Sequence, residues 1–292
     1  MRQHSTATAL WEHEPPDLLE GVHGSAGPGG LTARLRVDQG NPFYFDHPLD
    51  HVPGMLILCG AADLVRAAAD DAPEGRVRGA MTFRSICELE PAPTLLLPGG
   101  ERGRIEVTQD SETVADGWFE FSAADDVPAR DYRIDPGRQV PADAALVHRA
   151  RDENIMIGAP WQGDGHVTAL VLAPPDGHTL AGRRPGAHAV DYLVEAGRQF
   201  STWLPHRLAR WPLDAHMLWI GVTVDLPVSL PRTLAVALRW RAAPISADKA
   251  KFHLDLIHAD GRGPALGSLH FASKMLTPAE YARFRGNGRN PR

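Results

Sequence analysis

Cysteine and long apolar runs are both scarce in this sequence. Cys59 and Cys87 are the only two cysteines among 292 residues, too few for the disulfide framework of a small secreted domain. Residues 1–14 are polar and lack the apolar core of a signal peptide, and no apolar run is long enough to cross a membrane. These absences predict a cytoplasmic protein without a membrane partner.

An excess of basic residues and the common cofactor motifs are also missing. Lys and Arg together number 30 against 36 Asp and Glu, for a formal charge of -6, so nucleic acid is not an expected partner. No Gly-x-Gly-x-x-Gly or Walker pattern occurs, and the histidines on strand-like segments lack metal-ligand spacing. We therefore predict neither a cofactor nor a metal ion.

The order of predicted elements repeats within the chain. A strand, a Gly/Pro-rich loop, an apolar helix and a set of antiparallel strands occur once around a helix at 53–69 and again around a helix at 189–204. One long helix wrapped by an antiparallel sheet is the hotdog arrangement. The fold class predicted is α+β, a double hotdog whose two sheets join into one surface, making a pseudo-dimer within one chain and leaving a further homodimer open.

This organisation predicts five segments. They are a loose N-terminal arm at 1–30, hotdog repeat 1 at 31–127, a linker at 128–143, hotdog repeat 2 at 144–276, and a C-terminal tail at 277–292.

The loop before the first helix carries the densest set of reactive side chains. His47, Asp50 and His51 lie just ahead of Pro53-Gly54, which opens an apolar helix. An acid/base group beside the electropositive end of a helix suits an acyl carbonyl or an oxyanion. Asp50 either caps this helix or orients a catalytic histidine, and the sequence favours neither.

The second helix carries a carboxylate among apolar neighbours. Glu195 should therefore be paired or have a raised pKa, and a raised pKa suits a general base near neutral pH. Arg198, one turn later, either holds Glu195 ionised or binds an incoming phosphate. The structural alternative is an ion pair within the helix.

Two segments resemble a known family. The run Phe-Asp-His-Pro-Leu-Asp-His-Val-Pro-Gly-Met-Leu at 45–56 resembles the signature of the A-factor biosynthesis hotdog family, whose members carry two hotdog repeats. The run at 188–199, in which a Glu and an Arg-Gln pair follow a His, is similar to the other helix of that family. The two repeats stand here in the opposite order from the family pattern.

The resemblance implies an acyltransferase. Such an enzyme joins a β-ketoacyl group, carried as an acyl-carrier-protein or acyl-CoA thioester, to dihydroxyacetone phosphate, a phosphorylated three-carbon acceptor on the route to γ-butyrolactone-type signals. The phosphate requires a cation, for which Arg198 is the first candidate and Arg183 and Arg184 are the second.

The chain is also similar, more distantly, to the dehydratases of fatty-acid synthesis, in which a loop histidine works with a helix glutamate of the partner subunit. That similarity implies one composite site. It also implies a second, degenerate site, which is formed by His178 and Cys59. The predicted catalytic residues are His47, Glu195, His51 and Asp50, and the predicted substrate-binding residues are Gly54, Arg198, Gln199 and His188. A dehydratase or thioesterase acting on an acyl-carrier-protein thioester, and a non-catalytic acyl-binding protein, are the alternatives.

Overall fold

A single antiparallel sheet of twelve strands forms the frame of the protein. The computed structural model describes residues 18–25, 30–68, 75–99, 103–122, 135–175, 177–181 and 186–286. The strands are β1 Leu19–Ser25, β2 Gly30–Leu35, β3 Arg76–Phe83, β4 Thr94–Leu97, β5 Arg104–Gln109, β6 Glu112–Ser122, β7 Trp161–Gly163, β8 His166–Leu170, β9 His216–Pro227, β10 Val236–Arg241, β11 Lys249–His258 and β12 Gly267–Leu276. The helices are α1 Gly54–Ala67, α2 Ala144–Val147, α3 Val190–Leu208 and α4 Pro278–Gly286.

Each half of the sheet packs on its own long helix. The strand order is β1-β2-β4-β5-β6-β3-β9-β12-β11-β10-β8-β7. Helix α1 packs on β1, β2, β4 and β5, and α3 packs on β9, β11 and β12. Both helices are buried on most sides because apolar residues surround their axes. The predicted α+β double hotdog is confirmed.

The two halves meet where β3 pairs with β9. These strands run antiparallel from the pair Arg76 and Pro227 to the pair Thr82 and Gly221. The Arg76 guanidinium also pairs with the carboxylate of Asp225 on the neighbouring strand. The two sheets are therefore continuous, as predicted, and the interface between the repeats is a hydrogen-bonded ladder.

Three of the predicted segments contain helices or strands that the sequence analysis did not predict. The N-terminal arm contains β1, which pairs with β2 through a register shift that hides its alternation. The linker contains a short 3-10 helix, Pro136–Gln139, and Pro141 bridges to Gly158. The tail contains α4. The parts of these segments at 1–17, 26–29, 123–134 and 287–292 lie outside the described residues.

Helix α4 begins with a capping box that the sequence contains. Thr277 donates through its backbone N–H and its hydroxyl to Glu280, at 2.8 and 2.7 Å, and the Glu280 N–H donates back to Thr277 Oγ1 at 3.3 Å.

In the part of the chain that the structure describes, neither α4 nor another helix is long and apolar enough to cross a membrane.

We expect Gly117→Ala to destabilise the fold strongly. A Cβ on this β6 residue would lie 2.1 Å from the carbonyl oxygen of Ala80 on β3, so one of the two central strands must shift, at a cost of about 1–3 kcal/mol or more. Gly163→Ala is the matched control, because its Cβ would meet nothing within 4 Å. Urea unfolding measures both variants, and equal midpoints would contradict the close approach of β3 and β6.

Candidate active site

A cavity of about 280 Å³ lies where the two repeats and the C-terminal helix meet. Its walls come from the loop at 43–53, the start of α1, the residues after α2, the first part of β9, and α4. Four of the predicted site residues line this central cavity, namely His47, His51, Gly54 and Arg198. The predicted site therefore lies at the interface between the repeats.

His47 is held by a carboxylate that the sequence analysis did not select. Its Nδ1 is 2.6 Å from Asp46 Oδ1, and the Asp46 side chain is 0% exposed. Burial raises the pKa of Asp46, but the hydrogen bond from His47 and the charge of Arg149 outweigh it and lower the pKa to about 2. An ionised Asp46 keeps the proton of neutral His47 on Nδ1, which leaves Nε2 as a base.

His51 forms a second histidine–aspartate pair. Its Nδ1 is 2.8 Å from Asp50 Oδ1, and the Tyr281 hydroxyl of α4 donates to both Asp50 oxygens at 2.9 and 3.0 Å. The N-cap residue of α1 is Pro53, with no side-chain cap. The capping alternative for Asp50 is therefore wrong, because its carboxylate is turned toward His51 and α4.

The start of α1 reaches the cavity through Gly54. A Cβ at this position would lie 2.8 Å from Trp219 Cε3 and 3.2 Å from Phe83 Cζ. The two aromatic rings stack with their centroids 5.2 Å apart. Glycine therefore allows an aromatic wall to close against the N-terminus of the helix.

Glu195 is ionised and fully enclosed. Its side chain is 0% exposed, and it accepts from Arg149 Nη2 at 2.5 Å, from Arg198 Nε and Nη2 at 2.7 Å each, and from Gln199 Nε2 at 2.9 Å. Burial raises its pKa, but the two guanidinium groups outweigh burial and lower the pKa to about 2. Of the two expectations for Glu195, a paired carboxylate or a raised pKa, the first is confirmed and the second is wrong, because both cations favour the ionised form. Its role as a base stays a prediction.

Arg149 connects Glu195 to the loop of the first repeat. Besides Glu195, its guanidinium binds the Phe43 carbonyl oxygen through Nη1 at 3.0 Å and lies 3.4 Å from Asp46 Oδ1. The side chain is 7% exposed. The sequence analysis did not select Arg149. The available signal was its place in the His-Arg pair that directly follows the apolar turn of α2.

Gln199 and His188 lie away from the central cavity. Gln199 accepts from the Met156 N–H at 2.8 Å and donates to the Asn154 carbonyl oxygen at 2.7 Å. His188 is buried, with Nε2 2.9 Å from the Leu234 carbonyl oxygen. Neither residue lines the cavity, and their contact with substrate stays a prediction. Both side chains bind backbone groups around α3.

The degenerate site of His178 and Cys59 stays a prediction, and the structure gives the surroundings of each residue. His178 lies under the first-repeat loop, with Nε2 3.2 Å from Asn154 Oδ1 and its ring edge-to-face with Phe43 at 5.3 Å. Cys59 is buried within α1. Arg183 and Arg184 lie outside the described residues. Within the described part of the chain, no group of three or more His, Cys, Asp and Glu side chains is arranged to hold a metal ion.

We expect Glu195→Gln to cost about 3–5 kcal/mol of stability at pH 7, because it leaves Arg198 without its carboxylate and leaves the buried Arg149 with Asp46 alone. The lowered pKa of Glu195, about 2 against an ordinary 4.5, means that its stabilisation is present above about pH 4.5 and is lost as the pH falls toward 2. Urea midpoints measured from pH 7 to pH 2.5 should therefore fall less steeply in the variant.

The control is Cys59→Ala, at the corresponding position of the first long helix. It should cost only about 1 kcal/mol, from lost burial, at every pH. A Glu195→Gln protein with the urea midpoint of wild type at pH 7, and with the same dependence of that midpoint on pH, would contradict the enclosed ion-pair cluster.

Comparisons with known proteins agree with this architecture. The model of the A-factor biosynthesis hotdog domain, AfsA, matches residues 18–73 and 132–260, more than half of the chain. The 2-oxo-3-(phosphooxy)propyl 3-oxoalkanoate synthase of Streptomyces virginiae is 34% identical over 91 residues, which are 29% of this chain and 31% of that protein. The match thus spans under a third of the relative's length.

Solved structures show the same fold. The dehydratase domain from the CurJ module of curacin polyketide synthase has a TM-score of 0.61 at 15% identity, over 90% of this chain and 98% of that one. The dehydratase domain of RzxB from Pseudomonas fluorescens has a TM-score of 0.55 at 14% identity, over 87% of this chain and 100% of that one. The fold and the family match together show that this chain belongs to the A-factor biosynthesis hotdog family.

Proposed function

We propose that the protein is an acyltransferase that moves a β-ketoacyl group from a carrier-protein or CoA thioester to the hydroxyl of dihydroxyacetone phosphate. The observation that carries the proposal is one cavity with three features: the histidine His47 held by Asp46, the N-terminus of α1, and the guanidinium of Arg198. The first two features are suited to acyl transfer, and the guanidinium group is suited to binding the phosphate of the acceptor. The product would be the ester that the name of the Streptomyces virginiae relative describes.

The base in this mechanism is His47. Its Nε2 removes the proton of the acceptor hydroxyl, while Asp46 stabilises the imidazolium that forms. The hydroxyl oxygen then attacks the thioester carbonyl, the new C–O bond forms and the C–S bond breaks. The thiolate leaves with the proton returned by His47, so the reaction consumes no other acid or base.

Charge that develops on the carbonyl oxygen is stabilised by the start of α1. The first hydrogen bonds of this helix run from Leu56 and Ile57 to the Pro53 carbonyl oxygen, at 3.0 and 3.2 Å. The N–H groups of Gly54 and Met55 come before them, at the positive end of the helix dipole. Backbone donors placed in this way form an oxyanion site.

Arg198 is suited to the phosphate. Its Nε and Nη2 bind Glu195, and its Nη1 makes only a 3.4 Å contact with Thr202 Oγ1 among the hydrogen bonds of the described residues. The side chain is 21% exposed and lines the cavity. Glu195 thus fixes the guanidinium in place, and its Nη1 edge is the part that a phosphate oxygen can approach.

The same geometry disfavours the dehydratase alternative. Loss of water from a hydroxyacyl group requires a proton donor for the departing hydroxyl, and the helix carboxylate would supply it. Glu195 is ionised and saturated with donors, so it has no proton to give. A non-catalytic acyl-binding role would not require the His47–Asp46 pair.

We expect the wild-type protein, given a β-ketoacyl thioester and dihydroxyacetone phosphate, to form a phosphorylated ester that mass spectrometry detects. His47→Ala should lower kcat by about 10²–10⁴-fold, the usual worth of a positioned general base. Cys59→Ala should leave the rate nearly unchanged, because Cys59 is buried in α1. Free β-keto acid formed without dependence on the acceptor would favour a thioesterase, and an enoyl product from a hydroxyacyl thioester would favour a dehydratase.

We expect Arg198→Lys to raise KM for dihydroxyacetone phosphate by about tenfold or more while leaving KM for the acyl thioester nearly unchanged. Lysine keeps the charge but has a single nitrogen, so it cannot bind Glu195 through two nitrogens and still offer a third to the phosphate, as Arg198 does. Steady-state kinetics with each substrate varied in turn separates the two constants. A larger increase in KM for the thioester than for dihydroxyacetone phosphate would assign Arg198 to the part of the cavity that binds the acyl donor.

A further inference from the structure

A small group of apolar side chains beside the central cavity is separate from the main core. Ile86, Leu276 and Tyr281 are buried together, and Leu218 and Phe284 pack against them. Two of these side chains come from α4, one from the start of β9, one from the segment after β3 and one from the end of β12. The mechanism above gives this group no part.

Four members of the group line the central cavity, namely Ile86, Leu218, Tyr281 and Phe284. We call these four side chains the apolar wall. Ile86 and Tyr281 are 8% and 7% exposed, so this part of the cavity is shielded from solvent. The Tyr281 hydroxyl already donates to Asp50. The apolar wall is therefore suited to an alkyl chain and not to a phosphate or a hydroxyl group.

We propose that the apolar wall binds the alkyl tail of the acyl donor and that α4 sets the length of chain that the enzyme accepts. The inference rests on the proposed function, because it assumes an acyl donor. The tail is the part of the donor that gains most from leaving water. The cavity of about 280 Å³ limits how much of the tail can be enclosed.

Phe284 is the side chain of α4 whose size should decide where the chain ends. The other α4 side chain in the wall, Tyr281, is fixed at its hydroxyl by Asp50 and stacks on His216 with ring centroids 3.8 Å apart. Phe284 is partly buried and packs on the same apolar group. Its ring is therefore the part of the wall that a substitution can remove while the Tyr281 contacts remain.

A wall that measures chain length must stay at a constant distance from the reacting atoms, and ion pairs hold α4 in place. Arg285 binds Glu88 through Nη1 and Nη2 at 2.7 and 2.9 Å, and its Nη2 also donates to the Asp50 carbonyl oxygen at 3.2 Å. Asp50 belongs to the loop that carries His47. Helix α4 is thus attached directly to the loop that supplies the base.

Two substitutions change the size of the apolar wall in opposite directions. Phe284→Ala removes a phenyl ring and should raise kcat/KM for long β-ketoacyl thioesters relative to short ones by about tenfold or more, because one methylene in an apolar pocket is worth about that factor. Leu218→Phe adds a ring and should lower the same ratio by a similar factor. Arg283→Ala is the matched control, because Arg283 is an exposed neighbour on α4 that does not line the cavity.

The ratio is measured with thioesters of increasing chain length at saturating dihydroxyacetone phosphate, after thermal unfolding has shown which variants are folded. The control should keep the wild-type ratio. A ratio that is unchanged in both wall variants, a loss that is equal at every chain length, or shifts in the reverse directions would overturn the inference. If Phe284→Ala does not fold, the direction of the shift in Leu218→Phe decides alone.

Binding separates this inference from the proposed function. S-alkyl thioethers of N-acetylcysteamine carry the end of the pantetheine arm that both donors share, and they cannot transfer their chain. By calorimetry, wild-type affinity should rise about fourfold for each added methylene up to a limiting length and then fall. The limit should be longer in Phe284→Ala and shorter in Leu218→Phe. This pattern in a protein that forms no ester would refute the proposed function alone, and ester formation without this pattern would refute the inference alone.

Discussion

The ion-pair cluster around Glu195 is the interaction on which the site depends. One carboxylate, 0% exposed, accepts from two guanidinium groups and one amide. Arg149 then reaches Asp46 and the Phe43 carbonyl oxygen in the first repeat, and Asp46 holds His47. The helix of one repeat therefore fixes the reactive loop of the other through buried charge. Such a cluster stabilises only when every member is present, since each single charge is costly to bury alone.

Because the two repeats lie in one chain, only one of the two long helices needs to carry a buried carboxylate. The two long helices correspond in the fold, but α1 has Cys59 where α3 has Glu195. In a homodimer both helices would carry the same residue, and two such charged clusters would have to be enclosed. In a single chain, one helix supplies the charge and the other stays apolar. The resulting cavity is lined both by the N-terminus of α1 and by Arg198.

The C-terminal helix forms part of the cavity wall. Tyr281 of α4 bonds to Asp50, and Arg285 pairs with Glu88 at 2.7 Å. The His216 ring stacks on Tyr281 with centroids 3.8 Å apart. The pair formed by His51 and Asp50 is thus held by the C-terminal helix, while the His47–Asp46 pair is held by Arg149. Two histidines from one loop are fixed by different parts of the chain.

The double hotdog could be predicted from the sequence alone, because the order of strand, loop, apolar helix and antiparallel strands is a local pattern that repeats. The sequence also identified His47, His51, Gly54 and Arg198 at the cavity, since a reactive loop before a buried helix is visible in consecutive residues. The tertiary contacts were needed to show that Glu195 is paired and has a lowered, not a raised, pKa, and that His188 and Gln199 bind backbone groups. The role of a carboxylate follows from the cations that burial brings to it. Here the decisive cation, Arg149, is 46 residues away along the chain.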